Sequence, residues 1–148
     1  CPNETYEQKM AAVMDEAKAS DVTHIIFGDL FLEDVRAYRE RLFSGTGIVP
    51  VFPVWGRPTL ALAREMIRAG VEAHLSAVDL RKLPASFAGR RFDNALLDSL
   101  PAGTDPCGEN GEFHSFVSAG PMLARSIPVT VGETVELDGF AYADLLPA

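Results

Sequence analysis

The chain has 148 residues, 47% hydrophobic and 23% charged, with a formal net charge of 13 − 21 = −8. That is the size of one ordinary domain, or one with a small extension, and it holds enough apolar mass for a real core. No run approaches the roughly 18 apolar residues of a membrane helix, and no basic stretch leads into an apolar one as in a signal peptide. An acidic chain without a basic stripe is poorly suited to DNA or RNA, where Lys and Arg must neutralise phosphates; a local nucleotide site remains compatible. Cys1 and Cys107 are too few for a disulfide scaffold, which points to a soluble protein of the cytoplasm. The chain opens on Cys1-Pro2 without an initiator Met, inside what reads as a loop, so further sequence is expected upstream.

In chain order, residues 3–19 read as a helix. Asn3 is placed as its N-cap, and Tyr6, Met10, Val13, Met14 and Ala17 recur at helical spacing. Residues 23–27 (THIIF) form a short β-branched strand ending at Gly28-Asp29, and residues 33–43 form a second helix closed by Gly45 and Gly47. The run 49–54 (VPVFPV) is strand-like, but Pro50 and Pro53 cannot donate to a ladder, so it is short or lies at an edge. Residues 58–69 make a third helix, with Pro58 in its first turn and Gly70 at its C-terminal cap, and 71–78 a third strand. This αβαβαβ rhythm predicts a parallel sheet with crossover helices. A loop over 83–91 and a helix over 92–100 follow. The rest is β-rich, with strands at 113–117, 127–137 and 140–145 and an Asp138-Gly139 hairpin turn. The expected class is therefore α/β: a partial Rossmann-like parallel sheet with helices, then a smaller β-rich C-terminal part.

Ligands in open parallel sheets gather at the carboxyl ends of the strands. Three segments fall there. Gly28-Asp29 offers close backbone approach and a carboxylate for a metal or a ribose hydroxyl; its plain reading is a helix-start turn. Trp55, the only tryptophan, is either one wall of a pocket or ordinary core. Asp79 reads as a solvated turn residue. His24 and His74 read as partly buried strand histidines. Arg36, Arg39 and Arg41 read as a solvated, ion-paired helix face, with a phosphate contact open to Arg36 or Arg39.

The segment with the most chemistry is DPCGENGEFH, Asp105 to His114. Gly108 and Gly111 indicate unusual backbone angles or a close ligand approach. Glu109 and Glu112 can position an amine, bind Mg²⁺ or act as a general base. If the strand includes them, Glu112 and His114 point to one face. A structural zinc site on Cys107, Glu112 and His114 lacks the usual ligand spacing, and no residue is assigned as a metal ligand.

Taken together, CPNETYEQKM, HIIFGDLFLEDVRAYRE, PVFPVWGR, MIRAG, LPASFAGRRFD and DPCGENGEFHSFV resemble the diphthine–ammonia ligase-like ATP-binding family, within the adenine nucleotide α-hydrolase and PP-loop ATP pyrophosphatase superfamily. The resemblance covers nearly the whole chain. It implies a reaction in which ATP activates a carboxylate as an acyl-adenylate, with ATP and Mg²⁺ as cofactors, and ammonia displaces AMP to leave an amide. The family's SGGKDS-type loop is absent and its GEGGEYET motif reads GENGEFHS here, a variant that looks like the bacterial branch.

By the same resemblance, residues 1–80 would be the C-terminal portion of the nucleotide-binding α/β domain. Residues 81–148 would be a substrate-binding region carrying the motif. Glu109 and Glu112 would be the catalytic acids; Gly108, Asn110, Gly111, His114 and Trp55 would meet substrate, and Gly28, Asp29 and Arg36 the nucleotide. The implied partners are ammonia and a small-molecule or protein-borne carboxylate, with no membrane or nucleic acid and with homo-oligomers left open. Without the phosphate-binding loop the chain alone is expected to bind ATP weakly, and its unpaired sheet edge to favour self-association or low stability. The alternative is a non-catalytic nucleotide-binding or regulatory module of the same fold. A tRNA-modifying PP-loop enzyme is disfavoured by the net charge of −8.

Overall fold

The computed structural model describes residues 3–148. Cys1 and Pro2, the cap expected of Asn3 and the packing expected of Tyr6 lie outside the described residues. The chain forms two compact units, Cys1–Gly56 and Arg57–Ala148.

In the first unit, α1 (Asn3–Ala19), β1 (His24–Ile26), α2 (Glu33–Phe43) and β2 (Val49–Val51) follow one another. β1 and β2 pair in parallel, with His24 opposite Val49 and Ile26 opposite Val51. Both strands are three residues long. Pro50 cannot donate to the ladder, and the strand stops ahead of Pro53. The ladder closes through the Val49 amide on the Thr23 carbonyl (2.9 Å) and the Phe27 amide on the Val51 carbonyl (2.9 Å). Met14 from α1, Phe43 from α2 and Ile48 ahead of β2 form a small core, with Met10, Ala17, Ile25 and Phe27 packed on it. Of the stripe Met10, Val13, Met14 and Ala17 read from helical spacing, Met14 is buried and Met10 and Ala17 are partly buried, whereas Val13 is 54% exposed.

The second unit holds α3 (Thr59–Arg68), β3 (Glu72–Asp79), a 3₁₀ turn at Ala85–Phe87, α4 (Asn94–Ser99), β4 (Phe113–Ala119), β5 (Val129–Leu137) and β6 (Phe140–Pro147). Its strands form one antiparallel sheet in the order β4-β3-β6-β5. The third strand of the alternating run is thus not the third strand of the parallel sheet. Hydrophobic rhythm reports which faces are buried but not which strand supplies the partner. Both edges of β3 are taken by β4 and β6, and the structural division falls after Gly56, ahead of the boundary read near residue 80. The wider reading, an α/β chain with a parallel sheet, helices and a β-rich C-terminal part, holds.

The core of this unit gathers on β3. Leu75, Val78 and Leu96 are fully buried, with Leu83, Phe87, Phe92 and Phe113 around them. α3 contributes Ala63 to that core and packs Met66 and Ile67 against it. It ends where expected: Gly70, at φ +85°, turns the chain and gives its amide to the Ile67 carbonyl (3.1 Å). α4 is capped by Asp93, whose Oδ1 accepts from the Leu96 amide at 2.8 Å. Asp138 and Gly139 both have positive φ (52° and 82°), the requirement of a tight I′ hairpin turn between β5 and β6. Among the described residues no helix is long and apolar enough to cross a membrane.

Candidate functional site

The segment Asp105 to Glu112 is a compact loop leading into β4, and its two buried carboxylates hold it together. Asp105 and Glu112 are 7% and 4% exposed. Glu112 Oε1 accepts from the Asp105 amide (3.0 Å) and from Asn110 Nδ2 (3.2 Å), while Asp105 Oδ2 accepts from the Glu109 amide (2.8 Å). The two acids therefore brace the loop crosswise. Two backbone turns lie inside the brace, the Gly108 amide on the Asp105 carbonyl (3.0 Å) and the Gly111 amide on the Gly108 carbonyl (2.9 Å). Both glycines sit at positive φ, 73° and 75°. At Gly108 a side chain would also be crowded, since an added Cβ would lie 3.0 Å from the Phe113 ring and from its carbonyl oxygen. The loop is tied to its unit by the Asp79 amide on the Glu112 carbonyl (2.9 Å) and by Lys82 Nζ, which donates to the Asn110 carbonyl.

Burial works against ionisation of Glu112, but the Asp105 amide, its own amide, the Asn110 side chain and the Lys82 charge outweigh it and hold the carboxyl below the usual glutamate range. Its second oxygen, Oε2, is buried without a hydrogen-bond partner. The Cys107 thiol donates to the Thr59 carbonyl at 3.4 Å. Burial, and then the Asp105 and Glu109 carboxylates, push this thiol up to about 11. Cys107 is accordingly expected to react slowly with Ellman's reagent at pH 8 in the native chain and quickly in denaturant. Equal rates in the two states would contradict that environment.

The structure separates two residues that the sequence placed on one face. Strand alternation starts at Phe113, one position after Glu112. Glu112 therefore sits buried beneath the loop, whereas His114 is exposed on β4, opposite Ala77. Among the described residues no three His, Cys, Asp or Glu side chains gather as metal ligands. Asp79 is also not the solvated turn residue expected. It is 1% exposed, and its carboxylate takes the Arg81 guanidinium side-on, Nε to Oδ1 at 2.9 Å and Nη2 to Oδ2 at 2.7 Å, with the Arg81 amide on Oδ1 at 3.0 Å. The Arg81 side-chain bonds and then its amide hold the Asp79 carboxyl down at about 2. The sequence signal was there in Asp79-Leu80-Arg81: an Asp at a strand end with a donor two residues on is an Asx turn.

Gly28, Asp29, Arg36 and Trp55 lie in the first unit. Asp29 is partly buried and paired with Arg39 (3.1 Å), whose guanidinium also lies 4.4 Å from the centre of the Phe27 ring. Gly28 is exposed at the end of β1. Arg36 lies over both Phe52 (4.8 Å) and Trp55 (4.7 Å), with Nε on Glu40 at 2.8 Å. So the helix face read as solvated ion pairs is half aromatic in its contacts. Trp55 is partly buried and walls an open hollow of about 320 Å³ with Glu33, Arg36, Ala37 and Glu40. The structure thus brings Arg36 to Trp55, and Gly108, Glu109, Asn110, Gly111 and Glu112 to one another.

An antiparallel sheet whose edge strand β4 is entered through a carboxylate-braced Gly-Glu-Asn-Gly-Glu loop, tied to the end of β3, defines a recognisable domain type. The family model for the diphthamide synthase C-terminal domain matches residues 58–143, and the chain belongs to that family. The matched stretch lies within the second unit and includes the whole loop. Among characterised proteins, the chain is similar to diphthine–ammonia ligase of rat and of human. Each is 27% identical over 128 residues, which cover 83% of this chain and 48% of the relative. The chain spans about half the length of these relatives.

Proposed function

We propose that this chain is part of an ATP-dependent ligase that joins ammonia to a carboxylate. The carrying observation is the braced loop of Asp105 to Glu112, lying inside the family's domain. In this reading the substrate carboxylate attacks the α-phosphorus of ATP and expels pyrophosphate. Ammonia then attacks the acyl carbon, AMP leaves, and the nitrogen sheds a proton. Glu109, its amide fixed by Asp105, is the acid that receives that proton or orients the ammonia. Glu112, being buried, holds the loop in shape, and Gly108 and Gly111 let the backbone come close to the substrate. Asn110 and the exposed His114 face the substrate side.

In the first unit, the outer N–H groups of Arg36 and the Trp55 ring are the chemistry that suits a nucleotide, with Gly28 and Asp29 as the further nucleotide-binding candidates. Mg²⁺ would neutralise phosphate charge, and it commonly takes only one or two protein carboxylates. The setting proposed is the cytoplasm, and the carboxylate is either a small molecule or borne on a protein.

The test is release of AMP and pyrophosphate by the complete gene product, given ATP, Mg²⁺, ammonium and a panel of carboxylates. Ammonium-dependent AMP release that falls at least ~100-fold in Glu109→Gln supports the ligase. ATP binding without AMP release from any donor would make the protein a nucleotide-binding or regulatory module instead.

A further inference from the structure

The turn after β3 holds two consecutive cations that are anchored where most surface cations are loose. Arg81 is 78% exposed at its side chain, yet its guanidinium is gripped by a carboxylate that is 2% exposed. Lys82 is exposed as well, and its ammonium rests on the Asn110 carbonyl of the motif loop. Asp79, which grips Arg81, also gives its amide to the Glu112 carbonyl and takes the Lys82 and Leu83 amides on its own. Turn and loop are therefore one hydrogen-bonded assembly.

A donor count shows what is left over. A guanidinium has five N–H groups and an ammonium three. Arg81 spends two on Asp79 and Lys82 spends one on Asn110, which leaves three and two. Asp79 balances the Arg81 charge, and the Lys82 ammonium lies in the field of Asp79 and Glu112, so what the pair offers is its remaining N–H donors rather than a net charge. Long cationic side chains normally lose rotamer freedom when they bind, and here that loss is already made.

We propose that Arg81 and Lys82, anchored by the buried Asp79 and by the Asn110 carbonyl, form an oxyanion-binding pair beside the motif loop, suited to a phosphate or carboxylate group. Asp79 is then a positioning residue that aims Arg81. The pair goes beyond the ligase reading and is testable without turnover, so failure of one is distinguishable from failure of the other.

The experiment follows the backbone amide signals of residues 79–83 and the Arg81 Nε–Hε signal of the ¹⁵N-labelled 148-residue chain, the amides serving as the readout in Arg81→Lys. Sodium phosphate, pyrophosphate and acetate are added at constant ionic strength, with chloride as the reference. The expected result is a saturable shift with at least one oxyanion and none with chloride. Saturation by phosphate or pyrophosphate alone identifies a phosphoryl group, by acetate alone a carboxylate, and by both the shared chemistry. Arg81→Lys keeps the charge on an exposed residue and is expected to bind about tenfold more weakly, having lost the planar fork. Asp79→Asn separates positioning from general attraction, because removing a negative charge alone would tighten anion binding, whereas loss of aim weakens it. No saturable shift with any of the three anions, or unchanged affinity in Arg81→Lys, overturns the proposal; the latter result stands even if Asp79→Asn does not fold.

Discussion

Glu112→Ala is expected to destabilise the Arg57–Ala148 unit by about 2–3 kcal/mol, read as a lower urea midpoint by far-ultraviolet circular dichroism. The substitution removes the acceptor of two donors at once, the Asp105 amide and the Asn110 side chain. Asp105 is buried, so its amide has no water to turn to. Part of the loss is offset, because alanine also removes Oε2, an oxygen buried without a partner. Glu112→Gln should cost less, about 1 kcal/mol, since its amide oxygen can still accept both bonds. The pair also differs in acid. The folded-state value of Glu112 lies below its unfolded value. Its contribution is therefore complete above the unfolded glutamate range and disappears as pH falls through the folded value. That part of the acid slope should be missing from Glu112→Gln. A Glu112→Ala chain with a wild-type midpoint would mean that the brace is dispensable.

Gly108→Ala should be at least as damaging, roughly 2–5 kcal/mol, from two separate sources. A left-handed backbone costs a non-glycine residue about 1–2 kcal/mol, and Gly108 sits at φ +73°. The new methyl would also press on the Phe113 carbonyl oxygen at 3.0 Å. Phe113 is 5% exposed and held in the β3–β4 ladder opposite Val78. Its ring and carbonyl would have to give by a few tenths of an ångström, and overpacking of this kind costs about 1–3 kcal/mol. Gly111→Ala provides the internal comparison. It shares the positive φ, 75°, but nothing lies within 4 Å of its added Cβ, so only the backbone part applies. Equal midpoints for the two variants would show that the close approach to Phe113 contributes nothing.

Much of the local structure was legible because it is set by local chemistry. α2 runs from Glu33 to Phe43 as read, ahead of Gly45 and Gly47, and the Asp138-Gly139 turn has the two positive φ angles that such a pair supplies. Strand partnership was not legible. Glu72 to Asp79 carries the same apolar run whether it joins β2 in parallel or stands between β4 and β6, and its actual partners come from as far along the chain as Tyr142. The motif loop could be located by its composition, but its internal logic could not be read. Glu112 and His114 are two apart, and alternation would align them only if the strand began before Glu112. It begins at Phe113. Asp79 was misjudged for a related reason. Its burial comes from being the last residue of a central strand, and its charge is balanced by a side chain two residues ahead, a pairing visible as a pattern but not as a necessity. Arg36 and Trp55, singled out separately in the sequence, turn out to share one contact, because α2 and the segment after β2 bring the guanidinium over the ring.

The hydrogen bond from the Gly111 amide to the Gly108 carbonyl, 2.9 Å long, bears on how the protein ages. An asparagine followed by glycine is the dipeptide most prone to lose ammonia from its own side chain, because the next backbone nitrogen can attack the side-chain carbonyl and close a five-membered ring. Here that nitrogen is already committed to Gly108, and the Asn110 side chain is held by Glu112. The closed loop therefore keeps the two reacting atoms from the geometry they need, and Asn110 is exposed to this chemistry mainly while the loop is open. The rate at which Asn110 converts to aspartate or isoaspartate on storage becomes a clock for loop opening, and variants that loosen the brace should run it faster.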